Sequence, residues 1–246
     1  RNVNRKARNL RFFEVGNVYH FDEERYTTES PIKAYQQRYH LALWVTGHRV
    51  EGNWAHPDEE SSFFELKAHV ENVLRRVGLQ AGQVVTEVSD NNIFDKGLRM
   101  KTRGGKVLVD MGIVNHHVLR RFDIEQPVYY AEIDWTELMK ATRKNSLLFQ
   151  ELSKYPAVSR DLALLVDANV EFAQIEQIAR QTEKKLLKQV VLFDVYQGKN
   201  LPEGKKSYAV NFILQDENRT LTDKAIEAIM QKLMKNLTTK LHAELR

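Results

Sequence analysis

Three polar side chains toward the end of the sequence have the types and spacing of a nucleobase site. Asp194 and Tyr196 are two residues apart in a stretch rich in β-forming residues, and Ser207 begins the next such stretch. Since side chains alternate between the two faces of a strand, Asp194 and Tyr196 share one face. A carboxylate, an aromatic ring and a hydroxyl on one sheet face offer hydrogen bonds and stacking to an unstacked base. Patterning alone still favours two ordinary interpretations, a solvated sheet face or a contact between domains.

Strand alternation divides the neighbouring residues between an inner and an outer face. The residues expected to pack against helices are Val191, Phe193, Val195, Tyr208, Val210 and Phe212. The residues expected on the outer face are Leu192, Asp194, Tyr196, Ser207, Ala209 and Asn211. This division rests on an uninterrupted period of two along each strand.

The sequence carries no motif of a self-contained active site. It has no Gly-rich phosphate loop, no dinucleotide-binding glycine pattern and no nucleophile elbow. Gly104 and Gly105 before Lys106 predict only a hairpin turn. The chain has no cysteine and no His-Glu-x-x-His, which excludes thiolate chemistry and argues against a zinc site. We therefore expect no catalytic residue, no metal and no cofactor within this chain.

Composition places the chain among folded globular proteins. Of its 246 residues, 42% are hydrophobic and 28% charged, with a formal net charge of +4, so an intrinsically disordered chain is excluded. No apolar run approaches the roughly 20 residues of a transmembrane helix, and the lack of cysteine fits a reducing compartment, so we expect a cytoplasmic protein without membrane contact. The mild positive charge permits an anionic partner without requiring one. Because the sequence starts with Arg1 instead of Met, we expect it to be part of a longer protein.

Hydrophobic periodicity predicts two domains of the α+β class, residues 1–150 and 153–246, with the boundary between Ser146 and Pro156. In the first domain the predicted strands are 9–20, 40–46, 83–89, 106–114 and 127–134, and the predicted helices are 61–77, 116–122 and 135–143. Ser62 and Glu65 form a capping-box pattern for the first helix. In the second domain the predicted strands are 162–166, 190–196, 207–214 and 242–246, and the helices are 172–187 and 222–241, with Thr220 and Asp223 as the cap of the last. This β-α-β-β-α-β order is that of a ferredoxin-like domain.

Several ordered motifs run through the second region. They are Tyr-Pro-Ala-Val-Ser-Arg-Asp-Leu-Ala-Leu at 155–164, Leu-Phe-Asp-Val-Tyr-x-Gly at 192–198, Leu-Pro-x-Gly-Lys-Lys-Ser at 201–207, Arg-Thr-Leu-Thr-Asp at 219–223 and Leu-Arg at 245–246. In this order and spacing they resemble the ferredoxin-fold anticodon-binding domain of bacterial phenylalanyl-tRNA synthetase beta subunits. The combination is far more specific than any one motif.

The first region is similar to the catalytic-like domain of the same subunits. The matching segments are Leu-Arg-Phe-Phe-Glu-Val-Gly at 10–16, Phe-Phe-x-Leu-Lys at 63–67 with the helix to Gly78, Phe-Asp-Ile at 122–124 and Tyr-Ala-Glu-Ile-Asp at 130–134. The turn at 112–117 departs from the Gly-x-x-His-Pro turn of many members. The Gly-rich third motif of active class II synthetases, whose Arg contacts ATP, is missing. The resemblance therefore implies a class II synthetase-like antiparallel sheet that has lost the chemistry.

The resemblance implies a part of phenylalanine–tRNA ligase, an aminoacyl-tRNA synthetase of (αβ)2 composition. It implies that the anticodon loop of tRNA(Phe) is one partner and that the catalytic alpha subunit, which uses ATP and Mg, is the other. We then expect the alpha subunit to cover apolar surface on the first domain, in particular Leu10 to Tyr19 and the helix Phe63 to Val77. The alternative is that both segments are ordinary core of this domain. The alternative class is a ferredoxin-like small-molecule regulatory module. An acylphosphatase-like enzyme is excluded, because the acidic segment after Val166 would repel phosphate.

The anticodon-binding resemblance and the alternation of the strands lead to the same residues. The resemblance assigns Asp194 and Ser207 to the Watson-Crick edge of the first anticodon base, a guanine, with Tyr196 as the stacking plate. A carboxylate can accept both N1–H and the N2 amino group of guanine. We expect Arg160, Lys205 and Lys206 to hold the RNA backbone by charge.

Overall fold

The structure is a computed structural model that describes residues 5–146, 149 and 151–246. The chain divides into two compact units, Arg1–Leu148 and Phe149–Arg246. The predicted boundary segment from Ser146 to Pro156 lies partly outside the described residues. Within the described part of the chain, none of the helices has the length and apolarity needed to cross a membrane.

The first unit is built on a six-stranded antiparallel sheet. Its strands are β1 (Leu10–Phe21), β2 (Tyr35–Thr46), β5 (Val84–Val88), β6 (Phe94–Thr102), β7 (Val107–Val114) and β8 (Val128–Asp134), in the order β1-β2-β8-β7-β6-β5. A separate pair, β3 (His48–Val50) and β4 (Glu59–Glu60), forms a two-stranded ribbon. β1 lies at one edge and pairs only with β2.

Helices pack on one side of this sheet. They are α1 (Phe63–Arg76) and α3 (Trp135–Thr142), and a short helix, α2 (His116–Arg120), follows β7. α1 buries Leu66, Val70 and Leu74 against the sheet, as its spacing of three and four residues predicts. The Ser62 side chain accepts a hydrogen bond from the Glu65 amide, which confirms the predicted N-cap. The Glu65 carboxylate is instead held by Arg11 of β1, whose Nε donates to it at 2.9 Å.

β6 is a strand that the periodicity analysis did not predict. It pairs with β7 through the hairpin at Gly104 and Gly105, so the predicted turn was itself a signal for a preceding strand. Its alternation is interrupted, because the pairing with β7 shifts register between Phe94 and Lys96 and again between Met100 and Lys101. Arg99, on the side without helices, lies between Asp110 and Asp90, at 2.9 Å and 2.5 Å.

The second unit has the predicted β-α-β-β-α-β order. Its strands are β9 (Val158–Asp167), β10 (Leu187–Tyr196), β11 (Lys205–Leu214) and β12 (Glu244–Leu245), and its helices are α4 (Phe172–Thr182) and α5 (Asp223–Leu241). The antiparallel sheet has the order β10-β11-β9-β12, as a ferredoxin-like fold requires. Both helices pack on one face over buried residues of β9 and β11, including Leu164, Val166 and Phe212.

Two helix ends in this unit differ from the prediction. α4 ends at Thr182 instead of Leu187, because the Glu183 carboxylate accepts the amides of Lys185 and Leu186 at 2.9 and 3.0 Å and turns the chain into β10. α5 is capped by Thr222, whose side chain accepts from the Ala225 amide, and not by Thr220.

Candidate nucleic-acid interface

A β-bulge in β10 decides which of its side chains share a face. Before the bulge, Leu192 pairs with Val210, a core residue, and after it Asp194 pairs with Ala209. The register shift between them inserts Phe193 as an extra residue and reverses the alternation. Asp194 and Tyr196 therefore lie on the face without helices, as predicted.

The same bulge corrects three other face assignments. Leu192 was expected outside but packs against the core. Val191 was expected inside but pairs with Asn211, on the helix-free face, and Phe193 in the bulge is 57% exposed. The prediction assumed that side chains alternate without interruption along β10. The residue inserted at the bulge interrupts this alternation, so the assumption is wrong. In β11 the predicted alternation holds, since Tyr208, Val210 and Phe212 are all buried in the core.

The helix-free face of the second sheet, here called the open face, can be listed by strand. β9 contributes Ser159, Asp161, Ala163, Leu165 and Asp167; β10 contributes Gln189, Val191, Asp194 and Tyr196; β11 contributes Lys205, Ser207, Ala209, Asn211 and Ile213. Glu244 and Arg246 continue it at the β12 edge. The face thus combines carboxylates, hydroxyls, amides and one aromatic ring.

Asp194 is an exposed carboxylate available to a ligand. In the described part of the chain, no Lys, Arg or His nitrogen lies within 4.0 Å of it. Tyr196 stands next to it on the same face and pairs directly with Ser207 across the strand. Ser207 faces the same side and is 5% exposed. The structure brings these three predicted residues together.

Lys205 also lies on the open face, but carboxylates already hold it. Its ammonium group donates to Glu244 at 2.9 Å and lies 3.9 Å from Asp167. The hydrogen bond to Glu244 is the main cause that raises the pKa of Lys205 above its ordinary value. Lys205 is thus a fixed charge at the β12 side of the face.

The structure separates Arg160 and Lys206 from the other predicted residues. Arg160 pairs with Phe212 on the helix side of the sheet, and its guanidinium lies 3.9 Å from Asp223 at the start of α5. Lys206 is 8% exposed and its ammonium group lies 4.8 Å from the centre of the Tyr208 ring, also on the helix side. Both residues have even numbers in strands whose open-face residues are odd, so alternation already contained this information.

Sequence reasoning placed Asn211 on the outer face but missed its hydrogen-bond partners, and it gave Arg246 no role on this face. The Asn211 amide donates to Ser159 and Asp161, which fixes a second polar group one row from Asp194. Arg246 places its guanidinium over the Tyr196 ring. The partners of Asn211 could have been found from alternation together with a β9 register, whereas Arg246 stands at the far edge of the sheet and gave no local signal.

The first unit also has a helix-free sheet face, but its own side chains fill the centre. Phe94 lies over Gly97 and Gly112, and the Tyr130 ring is flanked by Phe94 and Trp44 at 6.2 and 5.2 Å. Burial, with Glu132 and Asp110 nearby, raises the pKa of Tyr130 far above its ordinary value. Acidic groups follow in the next row, where Glu14, Glu132 and Asp110 align across the strands.

Comparison with known families matches both units. The model of the phenylalanyl tRNA synthetase beta chain CLM domain matches residues 1–135, and that of the ferredoxin-fold anticodon binding domain matches residues 153–246. An antiparallel-sheet unit joined to a ferredoxin-fold anticodon-binding unit defines a component of an aminoacyl-tRNA synthetase. The small-molecule regulatory alternative is not favoured by these matches.

Individual relatives agree with the family models. Phenylalanine–tRNA ligase beta subunits are 55% identical in Bacteroides thetaiotaomicron, 49% in Porphyromonas gingivalis and 35% in Syntrophotalea carbinolica, each match covering 100% of this chain. The chain belongs to the phenylalanine–tRNA ligase beta subunit family, and it spans about 30% of the length of these relatives. A pyrrolysyl-tRNA synthetase from Desulfitobacterium hafniense aligns over 55% of this chain and 42% of that chain with 14% identity and a TM-score of 0.38, too weak a likeness to support an argument.

Proposed function

We propose that this chain forms part of a phenylalanine–tRNA ligase and that its second unit binds the anticodon region of tRNA(Phe). The observation that carries the proposal is the open face on which Asp194 and Tyr196 stand side by side next to Ser207. Asp194 accepts N1–H and the N2 amino group of the first anticodon base, a guanine. Tyr196 stacks on that base, and the Ser207 hydroxyl takes the remaining edge group.

The charges of the open face support base recognition over general phosphate binding. Four carboxylates stand there, those of Asp161, Asp167, Asp194 and Glu244, and Lys205 is paired with two of them. The negative charge of this face repels a phosphate backbone, so a nucleic acid binds there only where its bases offer hydrogen-bond donors to the carboxylates. Guanine presents two adjacent donors, which complement a free carboxylate. Of the predicted backbone contacts, Lys205 is the one on this face, whereas Arg160 and Lys206 lie on the helix side.

The first unit serves as a non-catalytic support in this proposal. Arg11 of β1, in the segment that resembles the second class II motif, points to the helix side and is held by Glu65 at 2.8 Å. The opposite sheet face carries Phe94, Tyr130 and a row of acids, which would exclude a triphosphate by bulk and by charge. ATP and Mg would therefore be bound by the alpha subunit, in the cytoplasm, within an (αβ)2 heterotetramer.

The proposal is tested on the full-length beta subunit reconstituted with its alpha subunit. Aminoacylation is compared between tRNA(Phe) and a variant with another first anticodon base. We expect Asp194→Ala to reduce the preference for guanine by roughly 1–3 kcal/mol, the scale of a bidentate base contact. Glu227→Ala removes an exposed carboxylate on α5 and should leave the preference intact. An unchanged preference in Asp194→Ala would show that the site is wrongly assigned.

A further inference from the structure

Arg246 reaches across the open face to the Tyr196 ring. Its guanidinium carbon lies 5.2 Å from the ring centroid, within the range of a cation–π contact. Its backbone amide donates to the Ala163 carbonyl at 3.0 Å, so the residue extends the β12 edge of the sheet. Between that edge and β10 lie Ala163 and Ala209, which pair directly with each other. Because both side chains are only methyl groups, they leave room above the sheet for the long Arg246 side chain to cross these two strands.

Gly198 confines the same ring from another side. A Cβ atom at this position would lie 2.6 Å from Cζ of Tyr196, closer than any real carbon contact. The absence of a side chain at residue 198 thus allows the phenol to lie against the backbone of the loop after β10. Tyr196 is held at its edge by Gly198 and on its face by Arg246.

Nothing described on the open face diverts Arg246 from this contact. The face carries two cations, and Lys205 is bound to Glu244 and near Asp167. In the described part of the molecule, no carboxylate lies within 4.0 Å of the Arg246 guanidinium. A guanidinium is planar and weakly hydrated, which suits it to lie flat on an aromatic ring.

We propose that Arg246 is a positioning residue of the nucleobase site and fixes the plane of the Tyr196 ring. This inference rests on the anticodon-binding function proposed above. In this arrangement the guanidinium takes one face of the ring and the first anticodon base takes the other. A ring whose orientation is already fixed loses less freedom when the base stacks on it, so Arg246 strengthens the stacking without contacting the base.

The test is a double-mutant cycle on the reconstituted full-length ligase, read as the Kd for tRNA(Phe). The variants are Arg246→Ala, Tyr196→Ala and both together, and the second ligand is tRNA(Phe) with an abasic nucleotide at the first anticodon position.

We expect Arg246→Ala to raise Kd about two- to fivefold for intact tRNA. It should change nothing for abasic tRNA or in the Tyr196→Ala background, and the salt dependence of Kd should stay the same. Gly198→Ala, which displaces the ring at its edge, should give the same pattern. Arg180→Ala on α4 is the matched loss of an Arg and should have no effect.

Three results would count against the proposal. If the Arg246→Ala loss persists on abasic tRNA, or lowers the salt slope by about one, Arg246 contacts phosphate and does not act through the ring. If Tyr196→Ala weakens binding while Arg246→Ala does not, this inference fails and the anticodon site stands. If Tyr196→Ala itself leaves Kd unchanged for intact tRNA, the stacking site fails and the role of Arg246 with it.

Discussion

Lys206 is 8% exposed, and its ammonium group lies 4.8 Å from the centre of the Tyr208 ring on the helix side of the second sheet. The adjacent Lys205 faces the open side and donates to Glu244. The sequence shows two identical neighbours, yet strand alternation sends them into different environments. The buried lysine covers apolar surface with its methylene stem and places its charge on an aromatic ring, so it contributes to folding.

Replacing Lys206 by Ala should therefore lower stability and leave RNA binding largely unchanged. We expect a loss of roughly 1–2 kcal/mol in the local opening free energy of β11, from the lost stem packing and the lost ring contact. Amide hydrogen exchange of β11 measures it. Lys199→Ala, an exposed lysine in the preceding loop, should leave this protection unchanged. A flatter salt dependence of tRNA binding without any loss of protection would assign Lys206 to a phosphate contact instead.

At the scale of elements, the α-helices and most of the strands followed from periodicity, while the interruptions of the strands did not. The ferredoxin-like order, the buried stripe of α1 and the Ser62 cap were all predictable, because each depends on local spacing and cap chemistry. The β10 bulge was not, since a bulge is defined by the register with β11. Val191 and Leu192 are both apolar, so the sequence allows either of them to face the helices. Only the pairing with β11 shows which one does. The unpredicted β6 had the same cause, because its pairing with β7 shifts register twice.

The Phe94 ring packs closely against the backbone of two strands of the first sheet. A substitution at this contact can test whether the ring lies there. A Cβ atom at residue 112 would lie 2.5 Å from Cγ of Phe94 and 2.6 Å from the Lys96 carbonyl oxygen, and the carbonyl belongs to a paired strand that cannot retreat. Gly112→Ala should therefore destabilise β6 and β7 by roughly 1–3 kcal/mol, the usual cost of overpacking. Amide exchange in β7 measures this loss.

Two further variants make this test specific. Gly104→Ala should cost little, since the nearest atom to its Cβ is 3.8 Å away. Combining Gly112→Ala with Phe94→Leu should recover part of the loss by removing the ring. A fully stable Gly112→Ala would mean that Phe94 does not occupy this place.

At the scale of the whole molecule, the two units differ in how much of their proposed function can be inferred from short stretches of sequence. The acid, ring and hydroxyl of the second unit fall within a few strand residues, so alternation and family resemblance converge on them. Local spacing predicts no such cluster in residues 1–150, and the proposed role of the first unit is to support another subunit. That role depends on which side chains are exposed, and the sequence determines exposure only through the fold. The predicted interface elements indeed differ, because α1 turns its apolar stripe into its own core while β1 leaves large side chains exposed.

β1 is the part of the first unit best suited to be covered by the alpha subunit. It is an edge strand, and six of its large apolar side chains are exposed: Phe12, Phe13, Val15, Val18, Tyr19 and Phe21. An exposed apolar edge is a site of unwanted strand pairing unless a partner protects it. We therefore expect the amides of β1 to gain exchange protection when the alpha subunit is added.

Phe13→Lys tests this interface directly. Phe13 is 74% exposed, so the substitution should leave the fold of the beta subunit intact while it weakens heterotetramer assembly by placing a charge in an apolar contact. Sedimentation velocity of the mixed subunits measures the assembly, and thermal unfolding of the beta subunit alone checks the fold. Val88→Lys is the matched control, since Val88 is 75% exposed on β5 at the opposite edge of the same sheet. The interface is wrongly placed if Phe13→Lys assembles as tightly as the parent and the amides of β1 gain no exchange protection. In that case neither the introduced lysine nor the backbone of β1 lies in the contact, and the alpha subunit binds elsewhere.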